Sequence, residues 1–310
     1  MNPVAAVTGA TGRIGQGLVA ALLGRGYRIR ALTRRPRPAR EGVEWIPGDL
    51  GDRDAIAAMI RGCSIVFHAG GQLDGDPELM RRSLVGGTAN VLSAAGAAMR
   101  VVHLSSLVVL DTGSPRSPAT IDESSPLEPA PWRRGSYTQA KVEAEALVRE
   151  AATRQDVIII RPGIVVTDDV APAIPLSIGL VAGRWVLLVG PARDVLPVVH
   201  VNDVASGVLQ AATALPPGEI LHLIDPARVT RVELLHRFNH RSRRRAAVDV
   251  SWAAQPAARL LSRMLRGSAA NTGYRILAAG TTHTWDTTRA LSLGWKPDQL
   301  NRWRADASNS

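Results

Sequence analysis

The sequence predicts an α/β protein with a doubly wound parallel sheet, followed by a smaller C-terminal region. Through the first 165 residues, short apolar runs alternate with longer amphipathic segments, and strands separated by helices need crossover connections. Some apolar runs, such as Val157–Ile160, have no polar face, which is typical of a strand covered by helices on both sides. Both observations favour a parallel sheet over an antiparallel one.

The periodicity of apolar residues places the individual elements. Continuous apolar runs predict strands at Val4–Thr8, Tyr27–Thr33, Val43–Pro47, Ser64–His68, Val101–Ser105, Val157–Arg161, Val198–Val201 and Ile220–Ile224. Apolar residues at helical spacing predict helices at Ile14–Leu23, Asp54–Ile60, Glu78–Met99, Tyr137–Ala152 and Val204–Thr213. Between them, Asp111–Gly135 is rich in Pro, Ser and Gly, and a loop of this length is typically functional or mobile.

Composition excludes several classes of protein. With 45% hydrophobic and 21% charged residues over 310 positions, the chain is neither disordered nor a coiled coil. The single cysteine, Cys63, excludes an internal disulfide framework and a cysteine-based zinc site. The most apolar stretch, Ile174–Gly190, contains Arg184, so we expect no membrane-spanning helix. Since no basic flank precedes an apolar core at the start, we expect a cytoplasmic protein.

The chain is strongly basic, with a net charge of +10 that comes mostly from the second half. Such a charge is compatible with nucleic acid or an anionic membrane as partner. We prefer a solvated basic surface beside a pocket for an anionic ligand, and we expect no nucleic-acid partner.

The turn between the first strand and the first helix is glycine-rich. Gly9 permits the tight turn, Gly12 lets the backbone approach a pyrophosphate, and Gly15 lets the helix pack on the strand. The helix N-terminus adds free N–H groups and the positive end of its dipole. The sequence therefore predicts a dinucleotide site here, completed by the intervening Thr11, Arg13 and Ile14.

The end of the second strand indicates which dinucleotide binds. An NAD site usually has Asp or Glu there for the ribose 2′-hydroxyl, whereas this strand is followed by Arg34 and Arg35. Guanidinium groups pair well with phosphate, so we predict NADP(H), with Arg13 as a further contact. NAD(H) is the alternative if these arginines only reflect the general arginine excess. Asp49 and Leu50, after the third strand, are placed to contact the adenine.

A tyrosine and a lysine lie four residues apart on a predicted helix. Tyr137 and Lys141 therefore share a face, and Lys141 is one of two lysines in a chain with 35 arginines. An ammonium stabilises tyrosinate, so we expect Lys141 to lower the pKa of the phenol and to contact a nicotinamide ribose. Ser106 follows the fifth strand at its carboxyl end, where open α/β sheets bind ligands. Ser106, Tyr137 and Lys141 form the predicted catalytic set.

Together, Thr8–Gly15, Ser106 and the Tyr137-x-x-x-Lys141 pair resemble the extended short-chain dehydrogenase/reductase superfamily, in its NAD(P)-dependent epimerase/dehydratase branch. The resemblance implies a Rossmann domain over residues 1–165, joined by 196–226, that binds NADP(H). It implies a substrate-binding region formed by 166–195 and 227–310. It also implies cofactor contacts at the ends of the fourth and sixth strands, from Ala69, Gly70, Pro162, Gly163 and Ile164.

Departures from the family pattern narrow the reaction. Dehydratases of this superfamily follow the active-site hydroxyl with Asp-Glu, whereas Leu107 and Val108 follow Ser106 here. Leu84 stands where relatives often have Asn, so a proton relay through that side chain is not expected. The helix that carries Tyr137 looks more like the dihydroflavonol reductase and 3β-hydroxysteroid dehydrogenase branch. We predict an oxidoreductase that transfers hydride between NADP(H) and a ketone or secondary alcohol, with a nucleotide-sugar epimerase or reductase as the alternative. A cofactor-binding regulator without turnover is a third option, which the complete Ser–Tyr–Lys set disfavours.

A basic amphipathic helix is predicted over residues 258–266. It places two sets of side chains on different faces, the apolar Leu261, Met264 and Leu265 and the basic Arg259, Arg263 and Arg266. We expect its apolar face to pack inward, with an active-site lid or a peripheral membrane contact as alternatives. The partner we expect is a small-molecule substrate, and the sequence leaves a homodimer open.

Overall fold

A seven-stranded sheet lies at the centre of the computed structural model, which describes residues 2–73, 75–97, 99–168, 176–241, 246–265 and 267–308. In chain order its strands are β1 (Val4–Thr8), β2 (Arg28–Thr33), β3 (Val43–Pro47), β4 (Ile65–His68), β5 (Arg100–Leu104), β6 (Val157–Pro162) and β7 (Ile220–Leu223). They are arranged β7-β6-β5-β4-β1-β2-β3, and every pair is parallel. The predicted doubly wound parallel sheet is confirmed.

Helices cover both faces of this sheet. In chain order the helices are α1 (Arg13–Leu23), α2 (Arg53–Ile60), α3 (Pro77–Arg81), α4 (Gly87–Ala95), α5 (Pro131–Arg134), α6 (Ser136–Ala151), α7 (Val201–Ala214), α8 (Arg231–Arg241), α9 (Ser251–Met264), α10 (Gly267–Gly280), α11 (Thr288–Ser292) and α12 (Gln299–Ser308). The buried side chains of α1 and α7 form one core with the sheet. Those of α2, α4 and α6 form a second core on the opposite face, which explains why the central strands are apolar throughout.

The third predicted helix, Glu78–Met99, is wrong in extent. A π-helical turn, Arg82–Gly86, separates α3 from α4, and α4 ends at Ala95. The chain leaves α4 through Gly96, whose φ of +64° is a conformation that L side chains rarely adopt. An apolar pattern cannot show either feature, because both are local backbone events that hardly disturb the apolar spacing.

The strand predicted at Val198–Val201 extends over Val198–His200 in the structure and lies outside the central sheet. It pairs in parallel with Ile164–Val166, which directly follows β6. His200 ends this short strand and caps α7 by accepting a bond from the Asn202 N–H at 3.3 Å. As a result α7 begins at Val201, three residues before its predicted start.

The predicted loop Asp111–Gly135 is held by the C-terminal part of the chain. It contains a short strand, Thr120–Ile121, which pairs in parallel with Thr284–Trp285. It also contains α5, which packs against α10. Because these contacts join distant parts of the sequence, single-sequence periodicity could not indicate them.

The rest of the chain forms short strands and helices beside the carboxyl ends of the central strands. The remaining short strands are Leu180–Ala182, Trp185–Leu188, Val195–Leu196, Val229–Thr230 and Ala246–Asp249. A third apolar cluster joins this region to α8 and α12. The chain then returns to the sheet, where Ala290 and Trp295 pack into the core formed by α1 and α7. The predicted division between a cofactor domain and a substrate region stays a prediction.

Candidate functional site

A cleft with a volume of about 920 Å³ runs along the carboxyl ends of the central strands. It brings together most of the residues predicted to bind the cofactor. These are Gly9, Thr11, Gly12, Arg13, Ile14, Gly15, Arg34, Asp49, Leu50, Ala69, Gly70, Pro162 and Gly163. The predicted catalytic residues Ser106, Tyr137 and Lys141 line the same cleft. Two predicted contacts are not among its lining residues: Arg35, which is exposed beside it, and Ile164, which lines a second cavity.

Glycine is required at two points of the turn between β1 and α1. Gly9 has a φ of +68°, and a Cβ there would lie 2.6 Å from the Ala69 carbonyl oxygen. At Gly15 a Cβ would overlap the Gly9 carbonyl. The turn therefore closes tightly against both β4 and the start of α1, as expected of a backbone that a ligand approaches closely.

The N-terminus of α1 is open to the cleft. Gly12 occupies the N-cap position, and within the described chain no side chain caps the first turn. The first turn also carries no acidic residue. Its free N–H groups and the positive end of the helix dipole thus favour an anion at this point.

Cationic groups lie near the predicted adenosine end. Arg13 and Arg34 are exposed and line the cleft, whereas Asp49 turns its carboxylate toward its own loop, accepting a bond from the Gly51 N–H at 2.6 Å. Arg82, in the π-helical turn, also lines the cleft and was missed by the sequence analysis. The sequence signal that could have indicated this contact is a basic residue two positions before Leu84 on the predicted helix.

A directed chain of hydrogen bonds lies beneath the glycine turn. The Thr88 hydroxyl donates to the Leu84 carbonyl at 2.6 Å, so it must accept from His68 Nε2 at 3.0 Å. His68 Nδ1 then accepts from the Thr8 hydroxyl at 2.7 Å, and Thr8 Oγ1 accepts from the Gly70 N–H at 3.0 Å. This order requires a neutral imidazole. Burial, with help from the charge of Lys141, lowers the pKa of His68 to about 3.

Two side chains of α6 face the cleft one turn apart. Tyr137 keeps part of its side chain open, whereas Lys141 is buried and donates from Nζ to the Leu104 carbonyl at the end of β5, at 2.9 Å. Ser106 follows β5 and is partly exposed beside Tyr137. The helix and the strand end thus bring the hydroxyl, the phenol and the ammonium to one place, as predicted.

The acidity of the phenol differs from the sequence-based expectation. Burial raises the pKa of Tyr137 to about 12, and contact with the Ser106 hydroxyl opposes this only in part. The expected lowering of this pKa by Lys141 is wrong in this structure, because burial of the phenol outweighs the interactions that favour the tyrosinate. Burial also lowers the pKa of Lys141 to about 8, against the attraction of Glu145.

A buried ion pair fixes α6 against the sheet. Glu145 Oε1 pairs with Arg161 Nη2 at 2.6 Å, and Glu145 Oε2 accepts from Ser105 Oγ at the same distance. Burial alone would raise the pKa of Glu145, but its bonds with Arg161 outweigh this and hold the pKa below its usual range. The ion pair therefore connects α6, the end of β5 and β6 one turn beyond Lys141.

A second cavity, with a volume of about 430 Å³, adjoins the cleft. Ser106, Tyr137, Pro162 and Gly163 line both spaces. Polar and apolar residues both line it, but most of the surface that it exposes is apolar. Its apolar lining includes Leu107, Val108, Ile164, Leu176, Leu196 and Trp285. The phenol and the serine hydroxyl therefore lie where the two spaces meet.

The charged groups of the second cavity are mostly paired. Arg134 donates to the Glu128 carboxylate at 3.4 Å, and Arg231 lies 3.6 Å from the Asp194 carboxylate. Arg275 is exposed and has no hydrogen bond or ion pair within the described part of the chain. An apolar ligand with few charges suits such walls better than a diphosphate does.

Two further predictions have definite outcomes. The expected inward packing of the apolar residues in 258–266 is wrong for Met264 and Leu265, which are exposed, whereas Leu261 is half-buried against α10. Arg266 lies outside the described residues. The predicted absence of a membrane span agrees with the described helices, none of which is long and apolar enough to cross a bilayer.

The cleft fits a dinucleotide with two phosphates. The glycine at position 9 lets the turn close against Ala69 and Gly70, and the uncapped end of α1 offers N–H donors to a pyrophosphate. Lys141 and Tyr137 lie at the opposite end of the cleft, where a nicotinamide ribose would be held.

Comparisons with known proteins agree with this geometry. The model of the NAD dependent epimerase/dehydratase family matches residues 5–223. A 4-hydroxy-2-methyl-3-oxo-4-farnesyl-3,4-dihydroquinoline-1-oxide ketoreductase of Stigmatella aurantiaca is 33% identical over 233 residues, covering 72% of this chain and 68% of the relative. A putative dihydroflavonol 4-reductase of Synechocystis is 34% identical over 230 residues, covering 69% of this chain and 65% of the relative.

Among solved structures, a short-chain dehydrogenase/reductase superfamily protein from Agrobacterium tumefaciens with bound NAD has a TM-score of 0.67 at 22% identity. The alignment covers 95% of this chain and 92% of that one, so the two share the fold. The sequence-based resemblance is thereby confirmed. The chain belongs to the NAD-dependent epimerase/dehydratase family and is an NAD(P)-dependent enzyme of the short-chain dehydrogenase/reductase type.

Proposed function

We propose that the protein is an NADP(H)-dependent ketone reductase or secondary-alcohol dehydrogenase in which Tyr137 is the proton donor. The position of Ser106 and Tyr137 at the junction of the cofactor cleft and the apolar cavity carries this proposal. A carbonyl group held at that junction would face the cofactor on one side and two hydroxyl donors on the other.

The cofactor and these two residues supply the hydride and the proton that the reduction needs. When bound, reduced nicotinamide supplies a hydride to the carbonyl carbon. The Ser106 and Tyr137 hydroxyls donate hydrogen bonds to the carbonyl oxygen, and the Tyr137 phenol transfers its proton to that oxygen. A pKa raised to about 12 keeps the phenol protonated at neutral pH, which is the form that reduction needs. Lys141 would hold the nicotinamide ribose, and solvent would return the proton to Tyr137.

The second cavity favours an apolar substrate. Its largest walls are hydrocarbon, and two of its arginines are already paired with carboxylates, so it offers little to a sugar diphosphate. The ketoreductase relative agrees, since the compound in its name carries a farnesyl chain. A nucleotide-sugar epimerase has no comparable support from the cavity.

The preference for NADP(H) is supported by Arg13 and Arg34, whose exposed guanidiniums line the cleft beyond β2. A 2′-phosphate would gain charge-assisted hydrogen bonds there. The cytoplasmic location is also part of this proposal, and the free buried thiol of Cys63 is in keeping with a reducing compartment.

A ketone panel with NADPH, and an alcohol panel with NADP⁺, tests the reaction. We expect stoichiometric change in nicotinamide absorbance, matched to product, and larger kcat/KM for ketones with apolar substituents. Isomerised sugar nucleotide with no net cofactor change would instead show an epimerase. NADPH binding without turnover of any ketone or sugar nucleotide would favour the regulator.

A further inference from the structure

The outward face of α9 carries exposed apolar side chains that the proposed reaction does not use. Trp252 is 80% exposed, Met264 is 72% exposed and Leu260 is 58% exposed. Pro256, Ala253 and Ala257 on the same helix are exposed as well. At 100° per residue these six positions span one side of the helix. This set is called the α9 apolar face below.

The inner side of α9 is fixed, so the α9 apolar face cannot turn inward. Ala258 is buried, and its carbonyl approaches α10 so closely that a Cβ at Gly273 would lie 2.7 Å from it. Gln255 donates to the Val189 carbonyl at 2.9 Å, and the Ser262 carbonyl accepts from Arg133 at 3.2 Å. The side of the helix that faces the protein therefore consists of small and polar residues together with Leu261, which lies against Gly273. Trp252, Leu260 and Met264 face outward.

Charge distinguishes this surface from an ordinary exposed apolar patch. Arg259 and Arg263 are exposed along one edge of the α9 apolar face, and neither guanidinium has a hydrogen bond or ion pair with the described residues. Residues 250–285 contain no Asp or Glu. A partner that covers this face must therefore combine apolar groups with negative charge.

Helix α9 is also separated from the second cavity by one helix. Helix α9 packs along α10, and α10 supplies Arg275, Ala278 and Ala279 to the walls of that cavity. A second exposed tryptophan, Trp132, lies on α5, which is bonded to α9 through Arg133. A surface at this place would bring the cavity close to whatever it binds.

We propose that the α9 apolar face and its two arginines bind the surface of a membrane that contains anionic lipids. Tryptophan and the aliphatic side chains enter the boundary between headgroups and acyl chains, and the arginines pair with lipid phosphates. The arrangement is peripheral, since the described helices are unable to span the bilayer. A substrate with apolar groups could then pass from the membrane to the second cavity.

Sedimentation with vesicles of phosphatidylcholine, alone or mixed with phosphatidylglycerol, tests this surface on the full chain. We expect binding to the mixed vesicles and little to the neutral ones. Each basic residue near an anionic membrane surface contributes a factor of roughly five to the partition coefficient. The variant Arg259→Gln/Arg263→Gln should therefore lower that coefficient about thirtyfold. Leu260→Ser/Met264→Ser should lower it by about tenfold or more.

The matched control is Arg25→Gln/Arg61→Gln, which removes the same charge from two exposed arginines. They precede β2 and β4, so they lie at the amino ends of the parallel strands. This variant should retain vesicle binding. An equal loss in this control would show that only the net charge matters and would overturn the proposal. So would equal binding to neutral vesicles.

A second copy of the chain is the competing occupant. Sedimentation velocity without vesicles tests this, and we expect Leu260→Ser/Met264→Ser to leave the oligomeric state unchanged. A wild-type dimer that this variant abolishes would assign the face to a protein interface instead. Unchanged thermal unfolding of the variants shows that they are folded. None of these measurements uses turnover. The membrane proposal can therefore be wrong while the proposed reductase activity is right, and the reductase activity can be wrong while the membrane proposal is right.

Discussion

Helices α1 and α9 have similar amphipathic patterns and opposite surroundings. In α1, the apolar Leu18, Val19 and Leu22 are fully buried between the sheet and α7. In α9, the small Ala258 is buried and the large Leu260 and Met264 are exposed. The apolar period therefore predicts that a helix forms and which residues share a face. It does not show whether the protein itself covers that face.

The exposed arginines of the two regions also differ in their surroundings. Arg34 lines the cofactor cleft beside the end of β2, whereas Arg259 and Arg263 border the α9 apolar face. All three are exposed, and their chemistry is the same. Their roles can be separated only by asking which ligand each one affects.

The largest expected effect lies in the cleft. Tyr137→Phe keeps the ring and removes the proton donor, so we expect ketone reduction to fall by about 10²–10⁴-fold with little change in NADPH affinity. Single-turnover kinetics and cofactor titration measure the two quantities. Lys141→Arg should also lose activity, because a planar guanidinium cannot replace the compact ammonium that donates to Leu104. Full activity of Tyr137→Phe would contradict the proposed role of this residue.

The two helices should differ sharply in their response to truncation. Leu18→Ala removes a fully buried side chain from α1 and should lower the free energy of unfolding by about 2–5 kcal/mol. Leu260→Ala, on the exposed side of α9, should change it by less than about 0.5 kcal/mol. Urea unfolding of both variants provides the comparison, and similar losses would mean that α9 is packed against another part of the protein.

The arginine pairs should affect different ligands. Arg34→Ala/Arg35→Ala should weaken NADPH binding by about tenfold to a hundredfold, the effect of losing one charge-assisted contact of roughly 1.5–3 kcal/mol, and should leave NADH binding unchanged. Arg259→Gln/Arg263→Gln should leave NADPH binding intact. Titration of both cofactors against both variants tests this, and equal wild-type affinities for NADPH and NADH would remove the basis for the NADP(H) preference.

Acid should destabilise the sheet region through its buried histidines. Burial lowers the pKa of both His68 and His222 to about 3, from 6.5, so below pH 6.5 the unfolded chain binds protons that the folded chain does not. Stability is therefore lost as the pH falls from 6.5 toward 3, by about 1.4 kcal/mol per pH unit for each histidine. Urea unfolding between pH 6.5 and about 5 isolates this effect, because most carboxylates stay ionised there.

The variant His222→Gln should reduce that slope by about 1.4 kcal/mol per pH unit. In contrast, Leu18→Ala removes buried apolar atoms and no titratable group, so it serves as the control and should leave the slope unchanged. A stability that is independent of pH over this range would show that the histidines are not held neutral.

Much of the candidate site was predictable because its signals are local. The glycine spacing from Gly9 to Gly15, and the four-residue spacing from Tyr137 to Lys141, are properties of one turn and one helix. The contribution of Arg82 was not predictable, since it depends on a π-helical turn that brings the side chain to the cleft. The raised pKa of Tyr137 also depends on burial, which the sequence around it does not encode.

The sequence by itself determined the parallel sheet, the positions of its strands through residue 165, and the residue types of the phosphate turn and the Ser–Tyr–Lys set. Each of these follows from periodicity, or from chemistry within a few neighbouring residues. Only the tertiary structure decided that the C-terminal chain holds the Asp111–Gly135 segment. It also decided that an apolar cavity meets the cleft at Ser106 and Tyr137, and that the α9 apolar face points outward. Those features depend on contacts between segments far apart in the chain, where the surroundings of a side chain, rather than its spacing, set its burial and its pKa.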